Sequence, residues 1–276
     1  MGRVDTIVTG PDGIDLVVRV GGDGDPVMFL HGSGGGLESW AQIAGELSPE
    51  FQTRLVARRG WYPSGIPLRR NTFELEAADV LTVVSRAAAE TGRRVHLIGG
   101  SYGALVALFA AAVSTEHIAS LALYEPPVLQ TGSHLEPVID RYVAMTNAGE
   151  LTAAMTMFVR EAARMPESVL QASAPSEPPD PVQTQRAAAG VLRDLQAMAA
   201  DSPDIDRWAS IDVPVLLLQG SDTWQPIPSG MDQLAAVLPD VHRVIWAGQS
   251  HFATATAPSL VASTLRDFLR TVVDRH

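Results

Sequence analysis

Val95-His96-Leu97-Ile98-Gly99-Gly100-Ser101-Tyr102-Gly103-Ala104-Leu105-Val106-Ala107-Leu108-Phe109-Ala110 reads as a short apolar strand, a tight turn and a helix of small apolar residues. The turn carries a G-x-S-x-G pattern, Gly99 to Gly103. A serine at such a junction sits on a sharp, strained backbone, and only residues almost without side chains two positions either side let the two backbones pass. Gly99 and Gly103 provide that clearance, so Ser101 is the candidate nucleophile. The same turn aims the Tyr102 N–H, at the helix N-terminus, toward the point where negative charge would develop beside Ser101 Oγ.

Outward from this junction, β-type runs alternate with helical stretches, a pattern that predicts an α/β fold with a mostly parallel sheet covered on both faces. The expected strands are Gly13–Val20, Pro26–Leu30, Thr53–Ala57, Arg94–Ile98, Ile118–Tyr124, Val213–Gln219 and Arg243–Trp246, with Thr6–Val8 as an extra hairpin strand. Helices are expected near Glu38–Leu47, Phe73–Glu90, Tyr102–Ser114, Ser229–Leu238 and Ala257–Val273. The alternation stops between Pro126 and Trp208. There helical stretches near Leu135–Asn147, Glu150–Met165 and Val182–Ala200 flank a proline-rich loop, Ala174–Pro181. The expected division is a core from residues 1–125 and 209–276 with a helical cap, 126–208, inserted between two strands. Such an insertion would lie over the carboxyl rim of the sheet, where open α/β sheets bind ligands.

Composition narrows the functions. The chain has 276 residues, 46% of them hydrophobic and 18% charged, enough to bury one large core. Its longest apolar stretches are far shorter than the roughly 20 residues that span a bilayer, and the N-terminus lacks a secretory layout. A cytoplasmic protein without a membrane partner is expected. Met1-Gly2-Arg3-Val4-Asp5-Thr6 fits only the loose pattern for N-terminal acylation. With no cysteine there is no disulfide, thiolate metal site or cysteine nucleophile. A net charge of −11, with basic residues scattered or in pairs such as Arg58-Arg59, Arg69-Arg70 and Arg93-Arg94, argues against a nucleic-acid partner.

A serine hydroxyl needs a base to take its proton. Of the seven histidines, His251 lies in Gly248-Gln249-Ser250-His251-Phe252, after the last strand and before the last helix, and so at the rim that carries Ser101. His96 lies within the strand, His117 and His242 enter strands at the other end, His276 is terminal, and His134 falls in the cap. Two carboxylates compete for the third place. Asp222 follows one strand. Glu125 ends the strand before it, and a helix of about 13 residues followed by a strand of about seven, rising roughly 20 Å and returning roughly 23 Å, brings it back to the rim of Ser101. There a carboxylate closes an apolar strand, a costly place for an unpaired charge.

Phe29-Leu30-His31-Gly32-Ser33-Gly34, Arg58-Arg59-Gly60 with Ser64-Gly65, Gly99 to Gly103 and Gly248 to Phe252 resemble the motifs of the α/β-hydrolase superfamily over nearly the whole chain. The resemblance implies the α/β-hydrolase fold and a serine, histidine and acid triad. In the family the seventh-strand acid usually stands where this chain has Thr223, one position after Asp222. Ala122-Leu123-Tyr124-Glu125 is instead similar to the sixth-strand acid site of haloalkane dehalogenases and fungal zearalenone lactonases. That likeness favours Glu125, with Asp222 as the alternative acid. The resemblance also makes Ser33, after His31-Gly32, the second oxyanion donor through its backbone N–H.

The expected function is therefore a serine hydrolase that cleaves an ester or lactone of a small, largely apolar molecule through an acyl-enzyme. Natural-product cyclases, lyases and ligand-binding receptors on the same fold are the alternatives. Gly32, Trp61, Phe158 and Trp224 are candidate pocket residues, with Met145, Met155, Met157, Met165 and Met198 as an adaptable lid. No cofactor, nucleotide or metal site is expected: the glycines after His31 precede no G-K-[ST], and the histidines lack H-E-x-x-H spacing. The oligomeric state is not readable from the sequence.

Overall fold

The computed structural model describes residues 4–172 and 180–274. Met1-Gly2-Arg3, His276 and most of the proline-rich loop at 174–181 lie outside the described residues. Those described include an eight-stranded sheet: β1 (Val4–Thr9), β2 (Asp15–Gly21), β3 (Asp25–Leu30), β4 (Phe51–Val56), β5 (Val95–Gly100), β6 (Ile118–Tyr124), β7 (Val215–Gly220) and β8 (Val241–Trp246). The helices are α1 (Ala41–Leu47), α2 (Phe73–Thr91), α3 (Tyr102–Val113), α4 (Glu136–Asn147), α5 (Leu151–Glu161), α6 (Glu167–Ala172), α7 (Pro181–Ala200), α8 (Ile227–Val237), α9 (Ala253–Thr256) and α10 (Pro258–Val273). The strand order is β1-β2-β4-β3-β5-β6-β7-β8, antiparallel for β1 with β2 and β2 with β4 and parallel thereafter.

Alternate side chains on a strand point to opposite faces, and the central strands bury both. Met28, Leu30, Leu97, Leu121, Leu123 and Leu217 face the layer that contains α2, α3 and α8. Val27, Phe29, Ile98, Ala122, Leu216 and Leu218 face α1 and α10. On α10, Val261, Leu265 and Leu269 form the inward stripe and are fully buried, each leucine stabilising the fold by about 1.5–3 kcal/mol. α3 is buried around most of its circumference, which explains its run of small apolar residues.

Between β6 and β7 the chain leaves the sheet for α4 to α7. Val138, Tyr142, Phe158, Val191, Leu195 and Met198 from these helices join the core cluster that contains Phe73, Tyr102 and Phe109, so the insertion shares the apolar layer of that face of the sheet. The sequence predicts one helix from Glu150 to Met165; the structure ends α5 at Glu161. Arg164 has a positive φ of 52° and Pro166 follows, after which α6 begins. The helix expected from Glu38 opens instead as a 3-10 turn, Leu37–Trp40, before α1. No described helix is long and apolar enough to cross a membrane.

Candidate active site

Ser101 stands between β5 and α3 with φ 53° and ψ −122°, a conformation L-residues seldom adopt. Neighbouring backbone presses on the turn. A Cβ on Gly99 would lie 2.5 Å from Gly103 O, and one on Gly103 would lie 2.4 Å from Leu30 O. Ser101 N–H donates to Tyr124 O at 2.7 Å, tying the serine to the end of β6. Tyr102 is the first residue of α3, where a helix leaves its amides without internal partners.

One residue beyond β6, Glu125 has a φ of 47° and no exposed surface. Its Oε1 accepts Gly220 N–H at 2.8 Å and the Thr223 hydroxyl at 2.6 Å. Its Oε2 lies 2.5 Å from His251 Nδ1. Both carboxylate oxygens are thus engaged, which offsets the desolvation that an unpaired buried carboxylate would suffer. Asp222 is exposed and accepts a hydrogen bond from its neighbour Ser221 at 2.7 Å. Of the two competing acids, only Glu125 is on His251. Thr223, at the position the resemblance reserves for an acid, contributes a hydroxyl that orients Glu125.

His251 is held on several sides. Tyr124 stacks on it with ring centroids 5.9 Å apart, and Trp224 meets it edge-on at 5.6 Å. The Tyr124 hydroxyl donates to Ser250 O and accepts Ala253 N–H, so β6 also clamps the backbone on both sides of the histidine. Sequence reasoning passed over this role for Tyr124, because the pairing spans more than 120 positions.

Ser101 and His251 are shared by two small spaces. One, of about 30 Å³, is lined by Ser33, Ser101, Tyr102 and His251 together with Phe158, Trp224, Met198 and Ile227, and is completed by Pro127, Gln130, Ala162 and Ala163. The other, of about 130 Å³, lies among Gly32, Ser39, Trp40, Gly100, Tyr124 and Thr254. Gly32 stands against the serine: a Cβ there would come within 3.1 Å of Ser101 Cβ. The sequence candidates Ser33, Tyr102, Phe158, Trp224 and Gly32 therefore all border the space around Ser101. Of the five methionines, Met198 lines it.

Trp61 is a correction. It is buried away from that space, its indole N–H donates to Asp194 Oδ1 at 3.2 Å, and its ring fills the slot left by Gly190 on α7. A buried indole N–H needs an acceptor, and Asp194 supplies it. Tyr62, next to it, is exposed with the Arg186 guanidinium 3.7 Å over its ring.

Asp194 belongs to a buried charged cluster beneath the loop at residues 31–34. Arg58 donates to both of its oxygens at 3.0 and 2.8 Å, to Glu76 at 2.8 Å and to His31 O at 2.9 Å. Ser33 Oγ donates to Asp194 Oδ2 at 2.7 Å, and Tyr102 OH to Glu76 at 2.6 Å. Burial pushes the Asp194 carboxyl above the usual carboxylate range, opposed by the charge of Arg58. Burial and Arg58 hold His31 well below the ordinary imidazole range; it stays neutral, with Nδ1 2.9 Å from Gly32 O and Nε2 accepting Arg58 N–H. The two loops that flank Ser101, and α7 of the insertion, are cross-linked through this cluster. Arg58 and Asp194 sit 136 positions apart, which hides their pairing from the sequence.

The described residues contain no group of three or more His, Cys, Asp or Glu side chains able to hold a metal ion. The geometry places a strained serine and an imidazole oriented by a buried carboxylate on the same two small spaces.

The sequence profile of the Alpha/beta hydrolase family matches residues 27–264, and the chain belongs to that family. It is 25% identical over 240 residues, 79% of this chain and 78% of the other, to a 2-hydroxy-6-oxononadienedioate/2-hydroxy-6-oxononatrienedioate hydrolase of Pseudomonas putida. Its fold is similar to the crystal structure of an alpha/beta hydrolase from Sphaerobacter thermophilus, at TM-score 0.82 and 25% identity, covering 96% of this chain and 100% of that one. It is also similar in fold to an enol-lactonase from Burkholderia xenovorans, at TM-score 0.74 and 20% identity, covering 96% and 100%.

Proposed function

We propose that this member of the alpha/beta hydrolase family is a serine hydrolase that cleaves an ester or lactone of a small, neutral, largely apolar molecule through an acyl-enzyme. The observation that carries the proposal is Glu125 Oε2 at 2.5 Å from His251 Nδ1, with His251 and Ser101 bordering the same space. Ser101 Oγ attacks the substrate carbonyl while His251 Nε2 takes its proton. Glu125 holds His251 Nδ1–H and stabilises the imidazolium that results. The Tyr102 and Ser33 backbone N–H groups accommodate the oxyanion. Collapse of the tetrahedral adduct breaks the bond to the leaving alkoxide, which takes the proton from His251. Water then adds to the acyl carbon by the same route in reverse and frees Ser101.

The lining supports a neutral substrate. Among the described residues around the 30 Å³ space there is no arginine or lysine to pair with a carboxylate. The Pseudomonas relative acts, by its name, on a dioate with two such groups, so ester or lactone cleavage fits this lining better than C–C cleavage of a dicarboxylate. The small volume fits a short acyl group, with α5 and α7 serving as a cap.

The test is a panel of p-nitrophenyl esters of graded chain length alongside lactones, with Ser101→Ala as the control. Short esters should be turned over, and Ser101→Ala should reduce kcat by several orders of magnitude in a folded protein. A serine-directed phosphonate should add to the peptide that contains Ser101, read by mass spectrometry. Equal rates for wild type and Ser101→Ala would overturn the proposal, and adduct formation without turnover would point to a receptor.

A further inference from the structure

Gln130 is almost fully buried, at 2% exposure, and lines the space beside Ser101, Ser33 and His251. Its amide is oriented by two bonds. Nε2 stands 3.2 Å from Ala162 O and 3.1 Å from Ala163 O, at the C-terminal end of α5. Carbonyl oxygens only accept, so the atom that faces them must be the NH₂, and its two hydrogens are used there. The amide oxygen is consequently turned away from those carbonyls. Ala163 O also accepts Trp224 Nε1–H at 2.9 Å, so the segment that holds Gln130 is itself pinned.

The remaining lining is mostly apolar: Pro127, Phe158, Ala162, Ala163, Met198, Trp224 and Ile227. An acceptor set in a wall of such residues takes its hydrogen bond from whatever occupies the space beside it. Gln130 thus serves two ends: its NH₂ satisfies two carbonyls of the insertion, and its oxygen gives the wall an acceptor that an apolar side chain would not offer.

Resting on the ester or lactone hydrolase reading, we propose that Gln130 Oε1 is the polar anchor of the substrate pocket, accepting a hydrogen bond from a neutral hydroxyl or N–H on the acyl part of the substrate. The substrate class is then a short hydroxy- or amino-type acyl ester or the matching lactone. With only about 30 Å³ beside Ser101, close to the volume of one water molecule, the donor sits within a few atoms of the scissile carbonyl. An alkyl analogue would leave Oε1 desolvated and unpaired; a carboxylate there would set like partial charges against each other.

The experiment compares phenyl esters in matched pairs, acetate with glycolate and butyrate with its 2-, 3- and 4-hydroxy derivatives, on wild type, Gln130→Met and Gln130→Glu. The readout is the ratio of kcat/KM for hydroxy over plain ester, which divides out any general loss from disturbing α5. In wild type at least one hydroxy ester should be preferred by about tenfold or more, and Gln130→Met should bring that ratio to about one. Gln130→Glu keeps an acceptor but loses the NH₂ that holds it in place against Ala162 O and Ala163 O, so its preference for that hydroxy ester should fall below the wild-type ratio. The same pairs are titrated calorimetrically into Ser101→Ala protein, with and without Gln130→Met. This binding arm needs no turnover, so an inactive wild type would count against the hydrolase reading while the ratio of affinities still decides the role of Gln130. A preference that survives Gln130→Met, or no hydroxy preference in wild type by either rate or affinity, would overturn the proposal.

Discussion

Replacing Glu125 with glutamine changes one oxygen to NH₂, and the hydrogen bonds around the carboxylate decide which. Oε1 accepts from the Gly220 N–H at 2.8 Å and the Thr223 hydroxyl at 2.6 Å, while Oε2 faces His251 Nδ1 at 2.5 Å. The Thr223 hydroxyl can rotate, but the Gly220 N–H cannot. Putting the NH₂ on that side would set two donors face to face in a buried site, at a cost of about 1–3 kcal/mol. The amide oxygen therefore stays on Gly220, and the NH₂ points at His251 Nδ1. To accept from it, His251 must carry its proton on Nε2, the nitrogen that should take the proton of Ser101. The tautomer is wrong for general-base catalysis, and the charge that stabilised the imidazolium is gone. A loss of about 10³–10⁴ in kcat is expected, equivalent to about 4–5.5 kcal/mol of barrier. Asp222→Asn, at an exposed residue bonded to Ser221, should stay within about threefold of wild type. The assay is kcat on the most reactive p-nitrophenyl ester, with a thermal melt to confirm that each variant is folded. A Glu125→Gln enzyme within tenfold of wild type would refute the reasoning, as would Asp222→Asn being the crippling change.

Tyr102→Phe separates side chain from backbone: it deletes the hydroxyl that donates to buried Glu76 but leaves the N–H, so unfolding free energy in urea should fall by about 1–3 kcal/mol while kcat stays within about threefold. A large fall in kcat with unchanged stability would contradict the assignment of the backbone alone to the oxyanion. His31 is held neutral when folded but takes a proton near pH 6.5 when unfolded, so stability should drop as pH falls below that point, by up to about 1.4 kcal/mol per pH unit from this one group. Urea melts at pH 7.5, 6.0 and 5.0 should show a shallower decline for His31→Gln than for wild type, and parallel declines would show that His31 is not held neutral.

The amino-acid sequence determined whatever depends on neighbours along the chain. The near-continuous apolar runs of β3, β5, β6 and β7, the glycines around Ser101 and the loss of strand character after Pro126 each express a local requirement: a pleat buried on both faces, two backbones crossing, a run of helices. These requirements were enough to bring Ser101, Glu125 and His251 to one rim. Local signals failed at Met165, where Arg164 and Pro166 end α5 early, and at Trp61, whose indole found an acceptor in α7 rather than a place in the pocket. Only the tertiary structure put Glu125, and not Asp222, against His251, because that depends on which carboxylate the β6 and β7 ends aim at a histidine more than a hundred positions from Glu125. It alone brought Thr223 onto Glu125, Asp194 onto Ser33 and Arg58, and the Gln130 amide onto two carbonyls of the insertion. These are pairings of buried polar groups. Each group must find a partner once water is excluded, and which partners are within reach is set by the packing of distant segments.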